Sequence, residues 1–233
     1  MRQRYYTQRI QRSYFSRKEN QYNESLLLNP PPHVQEELSL MIQKTIGIKK
    51  NIVDFGCGVG RLTIALLKRN KHVLGIDISE SSLQVLKKVA GQINKQDFLK
   101  TSTKLTNQRA KIIMGTDILH HVDLKNQIVL LHTNLTLDGK LLFSEPNAWH
   151  IFWWIYMVIK QNWTVEKGIV QCTYFNLKRE LQNAGFKRIK ITGFGFFPPP
   201  FFNSYRILAR INYWLGDLPI LKLFAFRFII EAW

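Results

Sequence analysis

Val53-Asp54-Phe55-Gly56-Cys57-Gly58-Val59-Gly60 is the stretch that decides how this chain is read. It ends an apolar strand, Asn51 to Phe55, and opens straight into a helix over residues 61–69. Glycine serves such a bend in two ways: it accepts positive φ, and its missing Cβ lets a ligand approach the backbone. The helix that starts there turns free N–H groups and a positive dipole end toward the bend. The spacing is G-x-G-x-G, with Arg61 where a dinucleotide fingerprint carries its third glycine. No G-K-[ST] follows, which excludes a P-loop. Asp54, inside the strand end, would repel a pyrophosphate and attract an ammonium or a sulfonium. Asp77 closes the next apolar run, Val73 to Asp77, seventeen positions after Gly60. A carboxylate there is placed to accept the hydroxyls of a ribose.

Outward from this core the chain alternates. Val34, Leu38, Met41 and Ile42 form one apolar helical stripe, with Gly47 as its stop. Ser79 caps a helix over 80–90, with Glu80 in the first turn and Gly91 at the end. Strands are expected at 93–98 and 111–114, then a helix near 124–136, a turn at Asp138-Gly139 and a strand over 140–144. Asn176 is read as the cap of a short helix ending at Gly185, followed by a strand over 186–191, a helix over 203–215 and a strand over 224–231. Such alternation predicts an α/β fold with a doubly wound, mostly parallel seven-stranded sheet and right-handed crossovers. Residues 1–29 read as a basic, aromatic N-terminal arm, and Pro30, Pro31 and Pro32 separate it from a single domain over 30–233. The segment 148–175 breaks the rhythm with Trp149, Trp153, Trp154, Tyr156 and Trp163. It leaves the carboxyl end of a strand, so it is expected to wall the substrate side.

The length of 233 residues suits one large domain, and 45% hydrophobic against 21% charged residues argues for a packed core rather than disorder. Cys57 and Cys172 are too few for a disulfide framework and lack metal-ligand spacing, so no metal site and a reducing, cytoplasmic setting are expected. The net charge of +17 favours an anionic partner, although solvated lysines explain it equally well. No apolar stretch follows the early arginines, so no signal peptide is expected. The apolar runs 151–159 and 196–202 fall short of the roughly 20 residues that span a bilayer. The expectation is a soluble protein, peripheral to a membrane surface at most.

Strand, D-x-G-x-G-x-G, helix, strand and aspartate, in this order, resemble the class I, Rossmann-like S-adenosylmethionine-dependent methyltransferases. Val53 to Arg61 looks like their first motif and Val73 to Ser79 like their second-strand motif. Gln96-Asp97-Phe98 is similar to the segment that reads adenine, and Asp117 to Val122 to the stretch after the fourth strand. Leu135 to Phe143 resembles a helix-turn-strand in which Leu137 and Asp138 replace the usual Pro-Gly pair. Leu177 to Phe186 resembles the late E-L-x-x-A-G-F segment, the match being good over 36–147 and loose over 176–233. The resemblance implies S-adenosyl-L-methionine as cofactor. Gly56 and Gly58 would pack against its methionine part, with Cys57 and Gly60 completing the loop. Asp54 would face its ammonium, Asp77 its ribose diol and Ile78 its adenine face. Asp97 would accept from adenine N6 with the Phe98 N–H nearby, and Met114 and Gly115 would line the methionine end.

Methyl transfer from a sulfonium is an in-line displacement that needs mainly positioning and exclusion of water. A base is needed only when the acceptor must lose a proton. His121, then His120 and Glu145, are the candidates, with His150 a further one; packing explains such histidines too. The apolar run 149–158 and the cluster Phe194, Phe196, Phe197 and 198–202, rimmed by cations, suit a small or lipid-like acceptor such as a prenylated quinol, a lipid-linked sugar or a fatty chain. They also suit contact with an anionic membrane surface. An RNA methyltransferase using the basic surface is the second reading. A cofactor-binding partner subunit without catalysis is the third. A nicotinamide enzyme is opposed by Asp54 and Arg61.

Overall fold

The computed structural model describes Ile10, Ser13, Tyr14, Ser16, Arg17 and residues 23–160, 163–198 and 206–233. Most of the expected arm, and residues 199–202 of the late apolar cluster, lie outside the described residues. The helices are α1 (Glu24–Leu28), α2 (Pro32–Gln43), α3 (Arg61–Leu67), α4 (Glu80–Gln92), α5 (Leu124–Thr133), α6 (Ile151–Lys160), α7 (Trp163–Glu166), α8 (Tyr174–Asn183) and α9 (Arg206–Asp217). The strands are β1 (Ile52–Phe55), β2 (Val73–Ile76), β3 (Leu99–Ser102), β4 (Ala110–Thr116), β5 (Leu135–Pro146), β6 (Ile189–Phe194) and β7 (Arg227–Ala232). They form one sheet in the order β3-β2-β1-β4-β5-β7-β6. β1 runs parallel to β2 and β4, and β2 parallel to β3. β7 runs antiparallel to both β5 and β6. This is the expected mostly parallel, seven-stranded sheet. Among the described residues no helix is long and apolar enough to cross a membrane.

The chain divides into two compact units, Met1–Thr116 with Thr133–Lys140, and Asp117–His132 with Leu141–Trp233. In the first, β1 is paired on both sides, so Ile52 and Val53 are buried as a continuous apolar run rather than an alternating one. α3 buries Leu62, Ile64, Leu66 and Leu67, and α4 buries Leu83, Leu86 and Val89. Each such side chain contributes about 1.5–3 kcal/mol of transfer free energy. The Ser79 side chain accepts from the Ser82 N–H and caps α4, as its sequence predicts. In the second unit, Phe143 of β5, Phe228 and Ile230 of β7, and Leu177 and Leu181 of α8 make the core.

Three expectations about elements are corrected. α4 does not stop at Gly91: it runs to Gln92, Asn94 turns the chain at φ 55°, and Gln96–Phe98 is a 3-10 turn, so β3 begins only at Leu99. Asp138-Gly139 is not a turn, because β5 runs straight through it. A Cβ on Gly139 would lie 2.8 Å from the Ala110 carbonyl oxygen, so this glycine marks close strand approach. α8 is capped by Thr173, whose hydroxyl accepts from the Asn176 N–H; the Asn176 side chain instead donates to the Gln171 carbonyl.

Candidate active site

In the first unit, Gly56, Gly58 and Gly60 all have positive φ, at 70°, 51° and 105°. The Gly56 and Cys57 N–H groups donate to the Ile76 carbonyl and tie the bend to the end of β2. Gly60 has a second reason to be glycine: a Cβ there would fall 2.4 Å from Leu86 Cδ1. Gly58 is the opposite case, with nothing described within 4 Å of where its Cβ would stand. Its face is open to a ligand.

Asp77 joins this bend to the next turn. Its Oδ2 accepts from the Gly58 N–H and its Oδ1 from the Ser79 N–H, both at 2.8 Å. Burial raises its pKa, while those two N–H groups oppose the rise. Each carboxylate oxygen carries two lone pairs, so one on each remains for a vicinal diol. Ile78, next in the chain, is 42% exposed and presents an apolar side chain just past the strand. Asp54 is buried, and its Oδ2 accepts from the Thr63 hydroxyl at 2.6 Å. Burial pushes its pKa up to about 7, against the Thr63 hydrogen bonds. Met114 pairs with Asp54 across β1 and β4 and is fully buried, as is the backbone at Gly115. The Cys57 thiol is buried, and desolvation with the nearby Asp54 and Asp77 charges lifts its pKa well above the usual thiol range. It is a packing group, not a nucleophile.

Asp97 and Phe98 do not join this cluster. β3 is parallel to β2 with Leu99 opposite Val73, so Asp97 lies at the amino end of the sheet, more than about 13 Å along the strands from Asp77. Asp97 is exposed, and the Phe98 ring packs on His72 with centroids 4.6 Å apart. The adenine role expected for both is therefore corrected. The residues that leave β3 beside Asp77 are Ser102, Thr103 and Lys104, with the Asp77 N–H donating to the Ser102 carbonyl at 3.2 Å.

In the second unit, a 3-10 turn over Leu119–His121 meets the buried end of β5. Glu145 is fully buried. Its Oε1 accepts from the Ile118 and Leu119 N–H groups, each at 2.8 Å, and its Oε2 lies 2.7 Å from His120 Nδ1. Glu166 lies beyond, with Oε2 3.3 Å from His120 Nε2 and 3.9 Å from His121 Nε2. Burial alone would lower the His120 pKa, but Glu145 and Glu166 together raise it to about 10. Between two carboxylates it is an imidazolium, with no lone pair for a substrate proton. Glu145, engaged by two N–H groups and that ring, has no vacant role either. The expectation that His120 or Glu145 serves as base is corrected for that reason. His121 differs: burial, then the His120 charge, hold its pKa well below the usual imidazole value, and its ring is hydrogen-bonded to the Val165 backbone. His150 Nε2 is held 2.8 Å from the Phe196 carbonyl, and its ring meets Phe226 edge to face. That is a packing arrangement.

Glu166 was missed by sequence reasoning. Its signal is that it is the one acidic residue between Glu145 and Glu180, alone in an aromatic segment. Arg227 was missed as well. It donates to Asp117 Oδ1 at 2.6 Å and to Ser144, and so secures the turn in which Asp117 has φ 56°.

A methyltransferase domain family matches residues 6–191. The ubiquinone biosynthesis O-methyltransferase of Coxiella burnetii (strain RSA 331 / Henzerling II) is 32% identical over 171 residues, which are 67% of this chain and 72% of the relative. The enzyme of the same name from Pasteurella multocida (strain Pm70) is 32% identical over 126 residues, 47% of this chain and 52% of the relative. Among solved structures, a SAM dependent methyltransferase from Archaeoglobus fulgidus has a TM-score of 0.61 at 18% identity, covering 85% of this chain and 92% of that one. Geranyl diphosphate C-methyltransferase from Streptomyces coelicolor A3(2) has a TM-score of 0.59 at 13% identity, covering 94% and 86%. At such identities the structures speak for the fold alone, while the domain match covers most of the sequence. The chain belongs to the class I, S-adenosylmethionine-dependent methyltransferases.

Proposed function

We propose that this methyltransferase acts on a hydroxyl of a small amphiphilic acceptor, an aromatic or similarly compact head with an apolar tail. The observation that carries the reading is the run of apolar side chains left exposed where the substrate wall was expected: Trp149, Ile151, Phe152, Ile155 and Trp163, with Ile151 67% exposed. Isolated exposed apolar residues need no explanation, but a run of them marks a binding face. The name of the Coxiella burnetii relative, an O-methyltransferase of ubiquinone biosynthesis, supports a hydroxyl acceptor of this kind.

The glycine bend fits the cofactor. Gly58 is open where the methionine part would pass, and Asp77 keeps an acceptor lone pair on each oxygen for the ribose. Bound S-adenosylmethionine supplies an electrophilic methyl group on a sulfonium leaving group. Gly56, Cys57, Gly58 and Gly60 would shape its path, Asp77 would orient the ribose, Ile78 would cover adenine, and Asp54, Met114 and Gly115 would border the methionine end. An acceptor hydroxyl must lose its proton, and among the expected bases burial holds His121 and His150 below the usual imidazole pKa, so both keep a neutral ring for that proton. An apolar face together with a net charge of +17 supports peripheral contact with an anionic membrane surface.

The test is turnover of S-adenosylmethionine with a phenol carrying or lacking a prenyl tail, read as S-adenosylhomocysteine and product mass. The expected result is O-methylation with kcat/KM at least about tenfold higher for the tailed phenol, as several buried methylenes allow. Equal use of both phenols would remove the amphiphilic reading. Methylation of RNA in their place, favoured by the net charge, would establish the second reading. Absence of turnover with cofactor bound would favour a silent partner subunit.

A further inference from the structure

We propose that His120, His121 and Glu166 bind a divalent first-row transition-metal ion. One nitrogen of each histidine and one oxygen of Glu166 lie within 4.8 Å of one another, with the histidine rings 4.0 Å apart. Two kinds of separation occur in this cluster. His120 Nδ1 to Glu145, at 2.7 Å, is the length of a charge-assisted hydrogen bond. His120 Nε2 and His121 Nε2 stand 3.3 and 3.9 Å from the same Glu166 oxygen, longer than such a bond. Ligand atoms about 2.1 Å from one tetrahedral ion lie about 3.4 Å apart; the 3.3 Å from His120 Nε2 to Glu166 has that length, and the 3.9 Å from His121 Nε2 is somewhat longer.

The surroundings are those of a metal site. A metal-bound imidazole commonly gives its other N–H to a carboxylate or a backbone carbonyl, which fixes the ring. His120 has Glu145, itself held by two backbone N–H groups, and His121 has the Val165 backbone. Glu166 is brought in because Gly168 lies against the His120 carbonyl: a Cβ there would be 1.8 Å from that oxygen. The Gln171 side chain donates to the Val122 carbonyl at 2.9 Å and clamps the same two turns together. Both histidine side chains are at most 9% exposed and Glu166 is 16% exposed, so the cluster is sheltered but reachable.

Two imidazoles and a carboxylate select zinc, or another imidazole-binding ion such as iron, nickel or copper, over magnesium or calcium, which prefer oxygen ligands. Three protein ligands leave a fourth position for water or another oxygen. The ion would displace the proton on His120 Nε2, which is released to solvent, and accept the lone pair of His121. On the acceptor reading given above, it would then lower the pKa of an acceptor hydroxyl in place of a histidine base. That use depends on the acceptor reading, whereas ion binding is measured without any acceptor, so the two fail separately.

The experiment is calorimetric titration of the chelator-treated full chain with Zn2+ and with Mg2+, with metal content after dialysis as a second measure. One Zn2+ per chain is expected, together with a higher Tm and much weaker Mg2+ binding. Glu166→Gln and His121→Ala should each weaken Zn2+ by about a hundredfold or more, and Glu145→Gln by about tenfold. Glu166→Gln removes one of the two carboxylates facing His120, so its metal-free form should keep the parent's far-ultraviolet spectrum at a somewhat lower Tm, and its Zn2+ affinity is read on that folded form. Unsaturable Zn2+ binding, equal binding of Mg2+, or undiminished affinity in both Glu166→Gln and His121→Ala would overturn the site and leave His120 as an ion pair alone.

Discussion

Replacing Asp54 by Asn tests the physical picture of the cofactor strand through stability. The carboxyl is buried and its folded pKa is about 7, against 3.8 in the unfolded chain. A shift of about 3 pKa units corresponds to about 4 kcal/mol at about 1.4 kcal/mol per unit. The sign follows from proton counting. Between about pH 4 and pH 7 the native state holds a proton that the unfolded state has released, so stability falls as pH rises through that window. Above pH 7 the whole cost of a buried carboxylate is present; below pH 4 none of it is. Asn never ionises, and its amide oxygen still accepts from the Thr63 hydroxyl. Urea unfolding should therefore find Asp54→Asn more stable than the parent near pH 8 by at most about 4 kcal/mol, reduced by about 1–3 kcal/mol for the buried amide NH2 that replaces one acceptor oxygen beside Thr63. The advantage should shrink below about 2 kcal/mol near pH 5. An advantage independent of pH, or a less stable variant near pH 8, would refute the reasoning.

Asp77→Ala should weaken S-adenosylmethionine binding more than about tenfold by calorimetry, since the ribose hydroxyls lose a charged acceptor; an unchanged Kd would count against the assignment. Asp97→Asn should leave that Kd within about twofold, and a large loss would restore the adenine role corrected above. Gly60→Ala should lower stability by about 2 kcal/mol or more, from positive φ and the collision with Leu86, visible as an earlier urea midpoint. Glu145→Gln should cost about 3–5 kcal/mol in the same assay, because it leaves the buried His120 charge short of a partner; a neutral result would mean that His120 is uncharged there.

What the sequence determined by itself was whatever depends on neighbours in the chain. The apolar strand, the glycine bend, the helix after it and Asp77 at the next strand end are local patterns of period and spacing, and they specify the parallel sheet and its cofactor edge. Ser79 as a cap was legible for the same reason. Register was less so: β3 starts a few residues later than its apolar signal, and that shift carries Asp97 to the far end of the sheet. Only the tertiary structure decided the state of the histidines. His120 and His121 are adjacent in sequence and alike in composition, yet one is held charged between Glu145 and Glu166 while the other is held neutral. Glu166 reaches them across more than forty residues because Gly168 admits close backbone contact. A pKa and a ligand set depend on burial and on charges within a few ångströms, and folding rather than sequence spacing sets those distances.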